Sequence, residues 1–167
     1  MSTERSKHSS SESGLAASRS VVFWVGKRCL ALPVDSVREV VDLQRLCPVP
    51  MSPPGVLGIV SLRGTVLSVL DAGYLLMGSS INTTSAKVLV MVQQHVIVCG
   101  LAVHRIHGVV TMPTGELLHS HVASPSPFVL GYHDLQLGDL VEVIDTARLS
   151  SHIASLRFDA EDRVASP

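Results

Sequence analysis

At 167 residues the chain can hold one domain, or two small β units that share a core, because an isolated barrel of about 65 residues would be marginally stable. Its formal net charge is −1, from 13 basic and 14 acidic side chains, so nonspecific attraction to phosphate backbones is weak and nucleic acid is not expected as a partner. Hydrophobic residues make up 46% and aromatic residues 4%, which predicts a core of Val, Leu, Ile and Ala and favours β structure over long helices.

The first 19 residues and the longest apolar stretch predict where in the cell the chain resides. Residues 1–19 are rich in serine and charge and lack the apolar core of a signal peptide, so we predict a disordered tail. The longest apolar stretch, Lys87 to Val103, is interrupted by Gln93, Gln94 and His95. It is therefore too short for a membrane span, and we expect a soluble, cytoplasmic protein without membrane insertion.

Three cysteines indicate a reducing compartment. Cys29 and Cys99 lie within apolar, strand-like runs, and with Cys47 they form an odd number without Cys-x-x-Cys spacing. We therefore expect reduced thiols, with Cys29 and Cys99 in the core.

Short apolar runs predict strands in the first part of the chain. Val21 to Val25 and Cys29 to Val34 are joined by a short loop that contains glycine, which predicts a hairpin. Val34 to Val41 has valines spaced by three and four residues, so we predict one helical turn before the next extended segment. Leu46 to Gly55 contains several prolines, which predict an extended connection at the surface.

The segment from Gly58 to Asp71 is largely apolar and carries one arginine. Arg63 and Gly64 stand between an apolar run and an alternating run, which predicts a charge at the tip of a hairpin between two half-buried strands. A short helix is predicted over Tyr74 to Met77, ended by Gly78.

A polar linker at Ser79 to Ser85 divides the sequence near its middle, and a second hairpin is predicted from Lys87 to Val92 and His95 to Val103. The elements predicted after it are loops at Pro113, Gly115, Pro125 and Pro127, an extended piece from Phe128 to Tyr132, a strand from Leu140 to Ile144, a helix from Thr146 to Ile153 that begins near Asp145, and a frayed tail over 155–167.

A weak internal repeat relates the two halves. Leu32 to Val41 aligns without gaps to Leu101 to Val110, with coincident apolar positions. Val66 to Asp71 aligns in the same order to Leu140 to Asp145. Two ordered matches predict two related β units, each a small barrel.

The motifs together resemble the CheW family of chemotaxis coupling proteins over roughly Val21 to His152. The matching motifs are Phe23-x-Val-Gly26, Ala31-Leu-Pro-Val34, Val37-x-Glu39-Val40-Val41, Val49-Pro50, Gly58-Ile-Val-Ser-Leu-Arg63-Gly64-x-Val66, Val69-Leu-Asp71 and the closing run Asp139 to Asp145 followed by Leu149. The Leu-Arg-Gly element is the most specific of them.

The resemblance implies an all-β fold of two SH3-like, five-stranded β-barrel subdomains packed on a shared core, here over residues 20–154. It implies a noncatalytic adaptor, without a cofactor, that joins the cytoplasmic tips of chemoreceptors to the regulatory domain of a CheA-type histidine kinase. By position, the family's contact residues match Val37, Glu39, Gly58, Arg63 and Gly64. Leu62 joins this set because the Arg63 stem is expected to pack on it.

Three departures from the family pattern concern the partners more than the fold. Ser61 stands where the family usually has Asn, Ala72-Gly73 replaces a usual Leu-Arg pair, and His104 replaces an acidic residue.

Each candidate residue also has a simpler interpretation. Arg63 can be a solvated arginine, and Glu39 a solvated charge on a helix face; a single carboxylate does not suffice for acid–base catalysis. The pairs His104-x-x-His107 and His119-x-His121 raise the possibility of a metal site, but no Cys or carboxylate completes a recognisable ligand set.

Two other functions compete with the adaptor. One is a small β-barrel protein that senses a ligand or metal through the His-rich second half, and the other is a hydrolase with an unrecognised site. The sequence contains no nucleophile elbow, phosphate-binding loop or dinucleotide fingerprint, which argues against an enzyme.

Overall fold

Ten strands and two helices make up most of the described chain. The computed structural model describes residues 17–43, 46–93, 96–113, 117, 126–135 and 140–164. In chain order the elements are β1 (Ala17–Val25), β2 (Arg28–Pro33), a 3₁₀ turn (Val34–Ser36), β3 (Val37–Asp42), β4 (Val56–Leu62), β5 (Thr65–Asp71), α1 (Ala72–Met77), β6 (Lys87–Gln93), β7 (Val96–Val103), β8 (Arg105–Pro113), β9 (Val129–Asp134), β10 (Leu140–Ile144) and α2 (Thr146–Val164).

The strands form two five-stranded sheets of the same design. Sheet 1 has the order β8-β1-β2-β10-β9, and sheet 2 has the order β3-β6-β7-β5-β4. Each sheet contains one parallel pair, β2 with β10 in sheet 1 and β5 with β7 in sheet 2, and its other pairs are antiparallel. The predicted all-β fold with two five-stranded subdomains is confirmed.

The two sheets each combine strands from both sequence repeats, an arrangement called strand exchange below. When β1 to β5 are matched with β6 to β10, the order of sheet 1 becomes the order of sheet 2. Sheet 1 takes β1 and β2 from the first half and three strands from the second, and sheet 2 has the reverse composition. The linker at Ser79 to Ser85 therefore separates the two sequence repeats but not the two folded sheets.

Alternating side chains place one apolar face of sheet 1 against sheet 2. The main core draws on both sheets and includes Val21, Phe23, Val25, Leu30, Leu32, Val69, Leu89 and Leu101. A second buried cluster lies on the other face of sheet 1 and contains Val22, Cys29, Ala31, Met112 and Val141. The central strands β1 and β2 have buried side chains on both faces, so they read as nearly continuous apolar runs in the sequence.

Each helix has an aspartate just before its first residue: Asp71 is the last residue of β5, and Asp145, where the cap was predicted, directly follows β10. The Asp71 carboxylate is buried and accepts hydrogen bonds from the backbone N–H groups of Gly73 (2.8 Å), Tyr74 (3.1 Å) and Ile81 (3.0 Å). Asp145 accepts one from the Arg148 N–H at 3.0 Å. An aspartate at this position supplies acceptors to the first N–H groups of a helix, which have no partner inside it.

Several element boundaries differ from the predictions. β8 was not predicted as a strand, because Arg105, His107 and Gly108 interrupt its apolar pattern. β1 begins at Ala17 rather than Val21, and α2 continues to Val164 instead of ending near Ile153. The fraying of residues 155–167 stays a prediction.

Residues 17–19, predicted as part of the disordered Ser-rich tail, belong to β1. The other tail residues, 1–16, lie outside the described residues, as does the turn after Gln93. Of the described helices, none combines the length and apolar character that crossing a membrane requires.

Candidate protein-binding site

The turn between β4 and β5 presents Arg63 to solvent. Leu62 pairs with Thr65, so Arg63 and Gly64 are the two central residues of the hairpin turn. Their φ angles are 50° and 82°, and positive φ at both positions defines a type I′ turn, whose backbone twist matches that of the flanking strands. The hairpin predicted at this site is therefore confirmed.

Arginine is an unusual residue at the first position of such a turn. A left-handed backbone conformation costs an L-residue about 1–2 kcal/mol, and Asn, Asp or Gly would adopt it more cheaply. The Arg63 side chain is 77% exposed, so burial offsets little of this cost. Backbone strain of this kind clusters at functional sites, and we take it as a reason to assign a function to Arg63.

Glu39 meets Arg63 across the two edges of sheet 2. Glu39 is on β3 and Arg63 follows β4, the strands at opposite ends of the sheet order, yet Arg63 Nη2 lies 3.1 Å from Glu39 Oε2. Sheet 2 must therefore curl until its edges approach, as a small barrel requires. The alternative of a helix-face charge for Glu39 is wrong, because its side chain is on a strand and 20% exposed.

This ion pair orients Arg63 more than it stabilises the fold. Pairs with an exposed partner typically contribute under about 1 kcal/mol. The contact uses one terminal nitrogen of a guanidinium that carries five N–H donors. The half-buried Glu39 thus positions the arginine while other donors remain available to a partner carboxylate.

Val66 adds an exposed apolar side chain beside the turn. It is 64% exposed and lies opposite Ser61 in the hairpin. Sequence reasoning did not include Val66 in the site, although the alternation that buries Leu67 and Val69 also directs Val66 outward. A charged pair next to an exposed valine is a composition suited to protein contact.

The other predicted site residues occupy different environments. Leu62 is half-buried at the end of β4, and Val37 is partly buried against the main core. Gly58 is buried, has φ +147°, and a Cβ there would lie 2.4 Å from the Cys47 carbonyl oxygen. Gly58 therefore lets the segment at Cys47 cross β4 closely, and its predicted role in partner binding can only be indirect.

Two histidines in the described ranges form structural contacts. The Gly26 N–H donates to His104 Nδ1 at 2.7 Å, and His152 lies against Phe128 with ring centroids 5.3 Å apart. His107 is on β8 rather than on the predicted turn. Within the described residues no group of three His, Cys, Asp or Glu side chains could hold a metal ion; His119 and His121 lie outside them.

The fold has two five-stranded sheets, each with parallel and antiparallel pairs and with strands from both repeats, and the charged type I′ turn joins β4 to β5. These features define a class of β proteins with two subdomains. A family model described as the CheW-like domain matches residues 19–154. The chain belongs to this family, as the motif resemblance predicts.

Similar proteins carry the family name. The chemotaxis protein CheW of Thermotoga maritima is 27% identical over 95 residues, which cover 57% of this chain and 62% of that protein. The chemotaxis protein CheW of Rhizobium meliloti is 29% identical over 97 residues, covering 58% and 63%. The chain thus matches less than two thirds of the length of these relatives.

A solved structure shares the fold. The crystal structure of scaffolding protein TtCheW from Thermoanaerobacter tengcongensis superposes with a TM-score of 0.66 at 22% sequence identity. The superposition covers 77% of this chain and 89% of that one. At this identity the likeness concerns the fold.

Proposed function

We propose that the chain is a noncatalytic, cytoplasmic signalling adaptor that couples chemoreceptors to a CheA-type histidine kinase, in chemotaxis or a related two-component pathway. Membership of the CheW-like domain family and the names of the similar proteins support this proposal. The observation that carries it is Arg63, which pairs with Glu39 at the tip of a type I′ hairpin and is exposed to solvent.

The proposed binding residues are Arg63, Gly64, Glu39, Leu62, Val37 and Gly58. Arg63 would pair with a carboxylate of the kinase regulatory domain or of a receptor tip, and Gly64 permits the turn that exposes it. Glu39 would hold the guanidinium in place before the partner arrives, which lowers the entropy lost on binding. Leu62, Val37 and Gly58 would act from beneath by supporting this surface.

The adaptor would couple receptor and kinase through the geometry of its contacts with them. Receptor state can bias the kinase only if the receptor contacts the adaptor differently in its two states. Each subdomain offers a separate face, and arrayed, multivalent assembly would offset the weakness of each single contact.

Copurification from the native cells tests the proposal. We expect a CheA-type kinase and chemoreceptors to be recovered with the affinity-tagged chain and to be identified by mass spectrometry. Recovery with bound metal or metabolites in place of both proteins would contradict the adaptor function.

A further inference from the structure

One guanidinium lies in the junction between the two sheets. The Arg28 side chain is only 17% exposed and its partner Glu142 only 10%. Arg28 Nε donates to Glu142 Oε1 at 2.5 Å, and Arg28 Nη2 forms a second bond to Glu142 Oε2. This is the only ion pair among the described residues in which both side chains are largely buried.

Arg28 also contacts the other subdomain. Its Nη1 donates to the Leu76 carbonyl oxygen at 3.2 Å. Arg28 on β2 and Glu142 on β10 belong to sheet 1, whereas Leu76 is in α1, which follows β5 and packs against β5 and β7 of sheet 2. A single planar group therefore binds both subdomains at once.

The surrounding contacts place this group at the point where the chain crosses between the sheets. Gly26, at the turn before Arg28, donates to His104 Nδ1, and the His104 N–H donates to the Trp24 carbonyl at 2.9 Å. His104 is the single residue between β7 of sheet 2 and β8 of sheet 1. The β1–β2 turn is thus hydrogen-bonded to α1 through Arg28 and to the β7–β8 connection through Gly26.

The sequence repeat has no second copy of this ion pair. The alignment of Leu32 with Leu101 matches Arg28 to Ile97, and the alignment of Val66 with Leu140 matches Glu142 to Ser68. The equivalent positions in the other half therefore carry an apolar and a small polar residue in place of two charges. Buried ion pairs are poor sources of stability, and their best-attested use is to select one geometry.

We propose that Arg28 is a positioning residue that fixes the orientation of the two β subdomains, and that this fixed orientation is required for receptor state to reach the kinase. The bidentate bond to Glu142 sets the plane of the guanidinium, and the remaining nitrogen then fixes α1 relative to sheet 1. The transmission half of this proposal rests on the proposed adaptor function.

The test replaces both charges by residues of similar volume, in the double variant Arg28→Met with Glu142→Met. Removing both partners leaves no unpaired buried charge, so the thermal midpoint should stay close to that of the wild type. Spin labels at Thr111 in sheet 1 and Val40 in sheet 2, both exposed positions, report the distance between the subdomains when Cys47 is replaced by serine.

We expect one narrow distance distribution for the wild type and a broader or displaced one for the double variant. An unchanged distribution would overturn the positioning role. If the double variant does not fold, Arg28→Lys carries the same test, because one ammonium cannot bind both carboxylate oxygens and the Leu76 carbonyl in the same geometry.

Kinase assays with receptor membranes test transmission. The double variant should bind kinase and receptor as the wild type does, but the receptor-dependent change in kinase activity should fall at least about fivefold. Full retention of this change would overturn the transmission role. Failure of the wild type itself to bind the kinase would contradict the adaptor function, while the distance measurement would still decide the role of Arg28.

Discussion

Replacing Asp71 by alanine tests the physical basis of the repeat. The Asp71 carboxylate is fully buried and satisfies three backbone donors, of which the N–H groups of Gly73 and Ile81 are themselves in buried residues. Loss of a helix cap costs about 1 kcal/mol. The orphaned Ile81 donor adds about 1–3 kcal/mol, because that donor is buried without a partner. We expect Asp71→Ala to lower the free energy of unfolding by about 3 kcal/mol.

Asp145→Ala is the matched control. Asp145 occupies the equivalent position but caps one donor, the Arg148 N–H, at a partly exposed site. Its loss should cost about 1 kcal/mol. Urea unfolding followed by the fluorescence of Trp24, the only tryptophan, measures both. Equal losses in the two variants, or a loss below about 1 kcal/mol for Asp71→Ala, would refute the reasoning.

Three further substitutions are read by the same unfolding assay. Gly58→Ala should destabilise the protein by more than about 2 kcal/mol, because the new Cβ meets the Cys47 carbonyl and φ is positive. Gly64→Ala also places alanine at a positive φ, +82°, but no atom lies within 4 Å of the new Cβ, so it should cost about 1 kcal/mol; a larger loss for Gly64→Ala than for Gly58→Ala would contradict this reasoning. Met51 has φ 58° and is fully exposed on the proline-rich connection, so Met51→Asn should raise stability by about 0.5–1 kcal/mol, and a loss would show that φ is not the source of strain.

Local patterns were sufficient to predict most elements. The alternating run before Asp71, the glycine after Arg63 and the prolines before Gly55 each act through short-range backbone chemistry, so the hairpin and its tip could be located. β8 was missed because histidine and glycine interrupt its apolar pattern, and its place is set by pairing with β1, almost ninety residues earlier.

Long-range geometry accounts for the parts of the site that were not predicted. Glu39 and Arg63 were each proposed as contact residues, but their ion pair depends on the curling of sheet 2, which no local pattern encodes. Arg28 and Glu142 are 114 positions apart and gave no signal, because each looks like an ordinary surface charge in its own segment. Strand exchange between the repeats brings them together.

The proposed adaptor function depends most on Arg63 at the β4–β5 turn, and of its two proposed partners we expect the kinase regulatory domain to require it. Isothermal titration of the purified chain with the regulatory domain of its CheA-type kinase tests it most directly, with Arg63→Glu compared with Arg148→Glu. Arg148 is similarly exposed and carries the same charge, and we expect its glutamate variant to fold because negative charge is favoured in the first turn of a helix. We expect Arg63→Glu to weaken binding by about tenfold or more and the Arg148 variant to bind like the wild type. Equal affinity of Arg63→Glu and the wild type would contradict it.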